Sequence, residues 1–457
     1  MTTDTMAQKP LPKTPVEQLL LPFQRFIHAE ASSGILLIAV TALALVWANS
    51  PWADSYHHLW EIKFSVSLGE GFFTLDKSLH HWINDGLMSI FFFVVGLEIK
   101  REFLVGELRS IKQAVLPIAA AVGGMVVPAI IYTAFNAGQI GVAGWGIPMA
   151  TDIAFALGVM ALLGKRVPIS LKVFLTALAI IDDIGAVLVI ALFYTSQLSW
   201  VSLLVGFAFL GLMMVANRLG VRTPWVYAVL GLILWVAFLE SGIHATVAGV
   251  LGAMAIPARM KINADDFLLH GRGLLQRFDN ASIHGQSVLT NRRQRAVLQT
   301  LEDTCEAAQS PMQRLENTLH PWVAFGVIPI FALANAGISL SGDVSTMLNT
   351  PITIGIILGL VVGKQVGITL FSWLLVKSDL ARLPKDIGWQ HIYGASWLGG
   401  IGFTMSIFIA TLAFPGGENL ALLEQAKFGI LTASLISGTV GWLILRKVKP
   451  VVNNAAA

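Results

Sequence analysis

The sequence predicts an all-α polytopic membrane protein of about 12 transmembrane helices, with inverted-topology repeats, two broken, crossing helices and a small extracytoplasmic β-hairpin. Three observations predict it. First, of 457 residues 55% are hydrophobic and only 12% charged, with a mean hydropathy of +0.71, whereas a soluble domain carries about 25% charged residues. Second, the apolar runs are long enough to cross a hydrocarbon core, which takes about 20 residues per helix. Third, Lys and Arg fall on alternate loops. The net charge of +3 is too small to suggest nucleic acid as a partner.

The spans expected in chain order are 32–49, 84–104, 113–135, 143–163, 170–195, 200–217, 224–239, 241–258, 321–340, 351–376, 390–414 and 424–446. The first apolar run, Ser33 to Trp47, follows Lys9, Lys13 and Arg25 and by itself could pass for a signal sequence. Because further spans follow, it reads as a retained first helix. With this map, 26 of the 30 Lys and Arg residues lie on one side; Lys63, Lys77 and Lys427 lie on the other, and Lys364 is inside a span. The positive-inside rule puts both termini and the even-numbered loops in the cytoplasm. The expected organisation is a cytoplasmic segment 1–31, a single membrane domain 32–446 and a cytoplasmic tail 447–457.

Two stretches are not spans. In the outer loop 61–76, "KFSVSLGEGFFTL" alternates with period two on both sides of Gly-Glu-Gly, a β-hairpin signal. Its edges either pair with a second copy or stand alone. The loop 259–319 is polar, and "RGLLQRF" and "NRRQRAVLQTLEDTCEAAQSPMQRLEN" look amphipathic and helical. It reads as a cytoplasmic loop resting on the membrane surface. It contains Cys305, the one cysteine of the chain, which excludes an intrachain disulfide and a cysteine metal cluster. His57–His58 and His80–His81 are adjacent pairs without i, i+4 spacing, so they make no metal site, and no cofactor is implied.

The charges inside the spans carry the function. Asp152, Asp182, Asp183 and Lys364 would together cost on the order of 10 kcal/mol if they faced lipid. They must face a wet cavity, one another or backbone dipoles. Successive helix residues point about 100° apart, so Asp182 and Asp183 diverge. One can reach a cavity while the other pairs sideways. Close carboxylates resist ionising together, so such a site holds a proton or a small cation but hardly both. Around Asp152, "GWGIPMATDIAFALG" sets Gly144, Gly146 and Pro148 where a helix would break. A break is tolerated in lipid only where its freed groups meet protein or line a cavity. An Asp there offsets the positive N-terminal ends of half-helices. Span 11, "YGASWLGGIGFTMSIFIATLAF", has a matching glycine-rich middle at Gly399, Gly400 and Gly402, followed by Thr404. Two interrupted spans in matching places suggest that spans 3–5 and 10–12 are inverted repeats. Lys364 either balances the negative ends of the broken helices or pairs with Asp182.

Two other functions compete. An intramembrane aspartyl protease needs acids that face each other, which neighbours on one helix do not. A proton-coupled carrier of another small solute needs convergent aromatic and polar groups, but Tyr is scarce and the acids are flanked by Ile, Ala and Gly.

The motifs "HWINDGLMSIFFFVVGLEIKRE", "PMATDIAFALG", "AIIDDIGAVLVIALFYT", "ESGIHATVAG", "LHPWVAFGVIPIFALANAG", "VVGKQVGI" and "GGIGFTMSIFIA" resemble the NhaA-type sodium/proton antiporters, from about Phe23 to Lys447. The resemblance implies a secondary active, electrogenic antiporter, not an enzyme. It exchanges cytoplasmic Na+, or Li+, for external H+ and serves sodium and pH homeostasis. It further implies direct Na+ binding at Asp183 with Asp182 as the lysine-paired, proton-sensitive acid. Thr151 and Asp152 match the break near the ion site, and Lys364 matches the family's lysine. Glu98, Arg101 and Glu102, with Arg314 and Glu316, match a cytoplasmic cluster tied to pH control. His244 matches a histidine linked to pH response, and Asp85 an acid in span 2. A homodimer through the outer hairpin is implied, with membrane lipid around it. The chain departs from the pattern at Gln313, where a lysine is expected, at Asn317, where a histidine is expected, and at Gln365, which replaces a usual proline. Its loop before span 9 is also longer. These departures bear on pH activation and leave the ion site intact.

Overall fold

A computed structural model describes residues 32–68, 73–195, 198–282, 287–339 and 344–448. The expected segment 1–31, the Gly-Glu-Gly turn of the hairpin and nearly all of the tail 447–457 lie outside the described residues. The rest is mostly helical. In chain order the helices are α1 (Ser32–Ala48), α2 (Ala53–Glu61), α3 (Leu79–Val105), α4 (Ile111–Asn136), α5 (Ile153–Ala161), α6 (Ile169–Phe193), α7 (Trp200–Arg218), α8 (Pro224–Leu239), α9 (Thr246–Ala255), α10 (Ala264–Asn280), α11 (Arg292–Ala308), α12 (Pro311–Asn335), α13 (Pro351–Lys377), α14 (Trp389–Gly399), α15 (Phe403–Ala413) and α16 (Leu420–Lys447). A 3₁₀ segment, Ile140–Met149, precedes α5.

Among the described residues, seven helices are long and apolar enough to cross a bilayer, or up to ten if each bent pair counts as one span. The bent pairs are α1 with α2 at 110°, Ile140–Met149 with α5 at 42°, and α14 with α15 at 42°. Two shorter apolar helices, α8 and α9, fall where two further spans are expected. Helix α9 starts later than expected because Gly242 adopts a φ of 87°, a left-handed conformation no helix continues through. Helix α12 starts some ten residues earlier than expected. Ser310 caps it, accepting from the Gln313 N–H, and Pro311 occupies the first turn, where a missing N–H costs nothing. His320 therefore lies within the helix and not at its entry. The chain absorbs Pro321 just before a widened π turn at Val323–Val327. Similar turns interrupt α3 at Trp82–Leu87 and α13 at Gly359–Gly363, the latter immediately before Lys364.

Strands β1 (Lys63–Leu68) and β2 (Phe73–Ser78) pair antiparallel, with Lys63 opposite Ser78 and Ser65 opposite Asp76. The loop before α12 folds as the helices α10 and α11, which turn their Leu274 and Gln294 faces to each other. Cys305 is exposed on α11.

Small residues set the packing around the centre. Gly123 on α4 and Gly367 on α13 meet backbone to backbone, and a Cβ on either would collide with the other helix. Without a hydrophobic force between helices in lipid, such close approach is what holds them together. It also brings Lys364, one turn before Gly367, across α4 toward α6.

Candidate ion-binding site

The two interrupted spans cross at their breaks. The chain is extended from Ala150 to Asp152, and the Asp152 N–H donates to the Ile401 carbonyl at 2.7 Å. Asp152 caps α5 by accepting the Phe155 N–H at Oδ1, 2.9 Å. Its Oδ2 accepts the Thr404 N–H at 3.1 Å and, in a closer contact, the Thr404 hydroxyl. One carboxylate thus serves the N-terminal ends of two half-helices, where unpaired N–H groups and positive dipole ends converge. It is 2% exposed.

The second cluster lies beside it on α6. Lys364 Nζ is 2.6 Å from Asp182 Oδ2, and both side chains are fully buried. Of the two roles open to the lysine, pairing with Asp182 is the one the geometry shows. The Thr151 hydroxyl lies 2.9 Å from Lys364 Nζ, 2.7 Å from Asp182 Oδ2 and 2.9 Å from the Gly399 carbonyl. With one proton, it accepts from the ammonium and donates to one of the two oxygens. Removing a partner from such a pair leaves an uncompensated charge, which costs far more than the pair itself contributes.

Asp183 differs from its neighbour. It is 2% exposed, and its Oδ1 lacks a hydrogen-bond partner among the described residues, as does Asp182 Oδ1. Asp182, Glu98, Asp152 and Lys364 all lie within electrostatic reach of it. Two carboxylate oxygens unused by the protein thus sit on adjacent residues of one helix. Buried polar atoms without partners call for a specific explanation, and a small hard cation takes oxygen ligands of this kind.

A charged cluster sits toward one end of the bundle. Arg101 on α3 pairs with Glu316 on α12 in a very close contact and with Glu102 at 3.3 Å. Glu102 also accepts the Glu107 N–H at 3.0 Å. Glu98 lies 3.9 Å from His320 Nε2. Arg314 does not join this cluster: it pairs with Glu306 of α11 at 2.8 Å. Gln313 and Asn317 are exposed. His244 stands apart from the cluster. Its Nε2 is 3.3 Å from Asp85, its Nδ1 is 2.8 Å from the Thr246 hydroxyl, and its ring packs edge-on to Phe408 of α15.

Three contributors were not assigned from the sequence. Thr404, named there only as following the glycines, is a ligand of Asp152. The Gly399 carbonyl enters through the crossing. Lys100 donates to the carbonyls of Met254 and Ile256 at the end of α9, the first at 2.7 Å. Those carbonyls lie 154 and 156 residues further along the chain, so no local pattern marks the contact.

Apolar helices with two crossed breaks, and a cluster of ionisable groups buried where they cross, define a multi-pass membrane transporter. The model of the Na+/H+ antiporter 1 family matches residues 24–445, and the chain belongs to that family. It is similar to the Na(+)/H(+) antiporter NhaA of Oleidesulfovibrio alaskensis, 56% identical over 432 residues that cover 94% of this chain and 95% of that protein. The Na(+)/H(+) antiporter NhaA of Koribacter versatilis is 53% identical over 442 residues, 97% and 94% of the two chains. Na(+)/H(+) antiporter NhaA 1 of Saccharophagus degradans is 49% identical over 443 residues, 96% and 95%. Proteins of this family are transporters rather than enzymes.

Proposed function

We propose that the chain exchanges cytoplasmic Na+, and also Li+, for external H+ across a bacterial inner membrane. The single observation that carries this reading is the pair of unpartnered carboxylate oxygens on Asp182 and Asp183, buried beside an ammonium ion. A sodium ion bound at the free oxygen of Asp183 displaces whatever proton that carboxylate holds. It also competes with Lys364 for Asp182. If the ammonium then gives up a proton as well, more protons move one way than sodium ions move the other, and exchange is electrogenic. Thr151 steadies the Lys364–Asp182 pair, and Asp152 keeps the two half-helix ends together while the site opens to alternate sides.

The wider reading has twelve crossings, α8, α9 and α1 included, with both termini cytoplasmic. The triplet α4, the Ile140–Met149/α5 span and α6 corresponds to α13, the α14/α15 span and α16 as an inverted repeat. Glu98, Arg101, Glu102 and Glu316 tune the pH response, with His244 acting through Asp85. Arg314 acts through α11. The outer strand pair joins two copies into a homodimer, and lipid surrounds the bundle.

Proteoliposomes with an imposed pH gradient test the exchange. Sodium or lithium dissipates the gradient with wild type, and Asp183→Asn falls to the level of empty liposomes. Calorimetry in buffers of different ionisation enthalpy tests the competition: Na+ binding releases protons, and apparent affinity drops about tenfold per pH unit where one proton competes. Sodium uptake without proton release at every pH overturns the reading.

A further inference from the structure

The chain leaves α9 through four consecutive carbonyls, those of Met254, Ala255, Ile256 and Pro257, and three other helices supply their donors. The Lys100 ammonium of α3 donates to Met254 at 2.7 Å and to Ile256 in a closer contact. The Asn217 side chain of α7 donates to Ala255 at 2.8 Å. The Met312 N–H, in the first turn of α12, donates to Pro257 at 3.1 Å. The last carbonyls of a helix have no partner within it and carry the negative end of its dipole. An ammonium, with three donors and no acceptor, suits that place.

Glu98 and Glu102 flank Lys100 in the sequence, but its ammonium is spent on the two carbonyls of α9. Successive helix residues point about 100° apart. With Lys100 held against α9, Arg101 is therefore turned toward α12. There it meets Glu316, while Glu102 of its own helix lies 3.3 Å away. Before Lys100, α3 is seated on α9 at Gly96, where a Cβ would collide with Ala253 and crowd Val250. One turn beyond that seat Lys100 is the hydrogen-bonded tie between the two helices. Past it Phe103, Leu104 and Val105 are exposed, and the helix stops at Gly106.

We propose that Lys100 is a positioning residue for the charged cluster: by closing the end of α9 it sets the turn of α3 that aims Arg101 at Glu316. Without that tie, Arg101 falls back to Glu102. Glu98, Glu102, Glu316 and His320 are the titratable groups within reach of Arg101. Helix α9 contributes none, since Thr246–Ala255 holds no ionisable residue. Which acid shares the guanidinium decides how the cluster titrates. A partner on α12 also holds two helices together, whereas a partner on α3 holds none. The inference rests on the reading of this cluster as the seat of the pH response.

The test uses the full chain in proteoliposomes. Lys100→Met is expected to move the pH profile of transport in the same direction as Arg101→Gln, by about one unit. Lys100→Arg, which keeps the charge and the donors, is expected to restore the wild-type profile. In an Arg101→Gln background Lys100→Met should add no further shift, because the group it positions is gone. Asn217→Ala is the control. It frees a carbonyl of the same helix end without touching α3, so it should lower the melting temperature and leave the profile in place. A second readout needs no transport. With Cys305→Ser, the pair Arg101→Cys and Glu316→Cys is joined by a short bis-maleimide, and Lys100→Met is expected to lower the yield. Cross-linking undiminished by Lys100→Met overturns the proposal. Where Arg101→Gln shifts the profile, so does a profile that Lys100→Met leaves unmoved, that it shifts equally in both backgrounds, or that Asn217→Ala shifts as far. A profile unmoved by Arg101→Gln overturns the pH reading of the cluster instead, and the cross-linking then decides the placement of α3 by itself.

Discussion

The crossing at the centre and the charged cluster around Arg101 use the same residue types under opposite conditions. At the centre, Asp182 and Lys364 are fully buried and Asp152 nearly so, each with a defined set of partners. In the cluster, the Arg101 side chain is 40% exposed and shared between two acids, one of them buried. A dry charge interacts strongly and pays heavily for a lost partner, whereas a wet charge is screened and substitutable. The centre is therefore where occupancy can be all-or-none, and the cluster is where response can be graded.

The largest effect that separates the two regions is Lys364→Met. It strands Asp182 with Thr151 as its remaining donor and is expected to destabilise the protein by about 3–5 kcal/mol, read as a drop in the thermal midpoint. Adding Asp182→Leu in the same chain should restore much of that loss, because an apolar pair of similar volume needs no partners. No recovery in the double variant breaks the claim that the charge, and not packing, sets the penalty. Thr404→Val comes next. Asp152 loses its hydroxyl donor but keeps the backbone N–H of Thr404 and Phe155, so the cost is about 1–3 kcal/mol, and Thr404→Ser should recover it.

The cluster should respond more gently. Arg101 is partly exposed while Glu316 is buried, so the pair stands between an exposed one, up to about 1 kcal/mol, and a buried one at about 3–5 kcal/mol. Arg101→Gln is accordingly expected to move the pH profile of transport by about one to two units, at about 1.4 kcal/mol per unit, while leaving the maximal rate within about a factor of two. A loss as complete as that of Asp183→Asn would place Arg101 with the centre.

The smallest effect belongs to the outer strand pair. Ser65 donates to Asp76 Oδ1 at 2.5 Å, and Lys63 lies 3.6 Å from Oδ2. The Ser65 hydrogen bond, and then Lys63, hold this carboxyl below its ordinary value of 3.8. Because the folded value is depressed, the contact contributes fully above the ordinary value and fades as pH falls through the lower, folded one. Asp76→Asn should lower the melting temperature slightly at pH 7, and the melting temperature of the wild type should fall toward that of the variant only in that acidic window.

The spans were legible because burial in lipid forces long apolar runs, and α4, α6, α13 and α16 all lie within a few residues of where hydropathy puts them. Legibility fell where local chemistry outweighed hydropathy. Helix α12 begins at a capped Ser310 inside a polar stretch, and α9 is cut short by the left-handed Gly242. The candidate site divides in the same way. Asp152, Asp182, Asp183 and Lys364 stood out because a charge in an apolar run is costly. Thr404 and the Gly399 carbonyl carry no such signal, since a threonine or a backbone oxygen in a span is ordinary. The resemblance placed Arg314 with Glu316 in the cluster around Arg101, but side chains at i and i+2 of a helix point to different sides, and Arg314 turns to Glu306.

By itself, the sequence determined that the chain is a multi-span membrane protein with three acids and a lysine inside it, because composition and periodicity report directly on the surrounding solvent. The tertiary structure decided which of those charges meet. Asp182 and Lys364 are 182 residues apart, and Asp152 and Thr404 are 252 apart. Their pairing depends on two helices approaching at Gly123 and Gly367 and on two breaks crossing at one depth. No local pattern encodes such distances, because they are set by how whole helices pack.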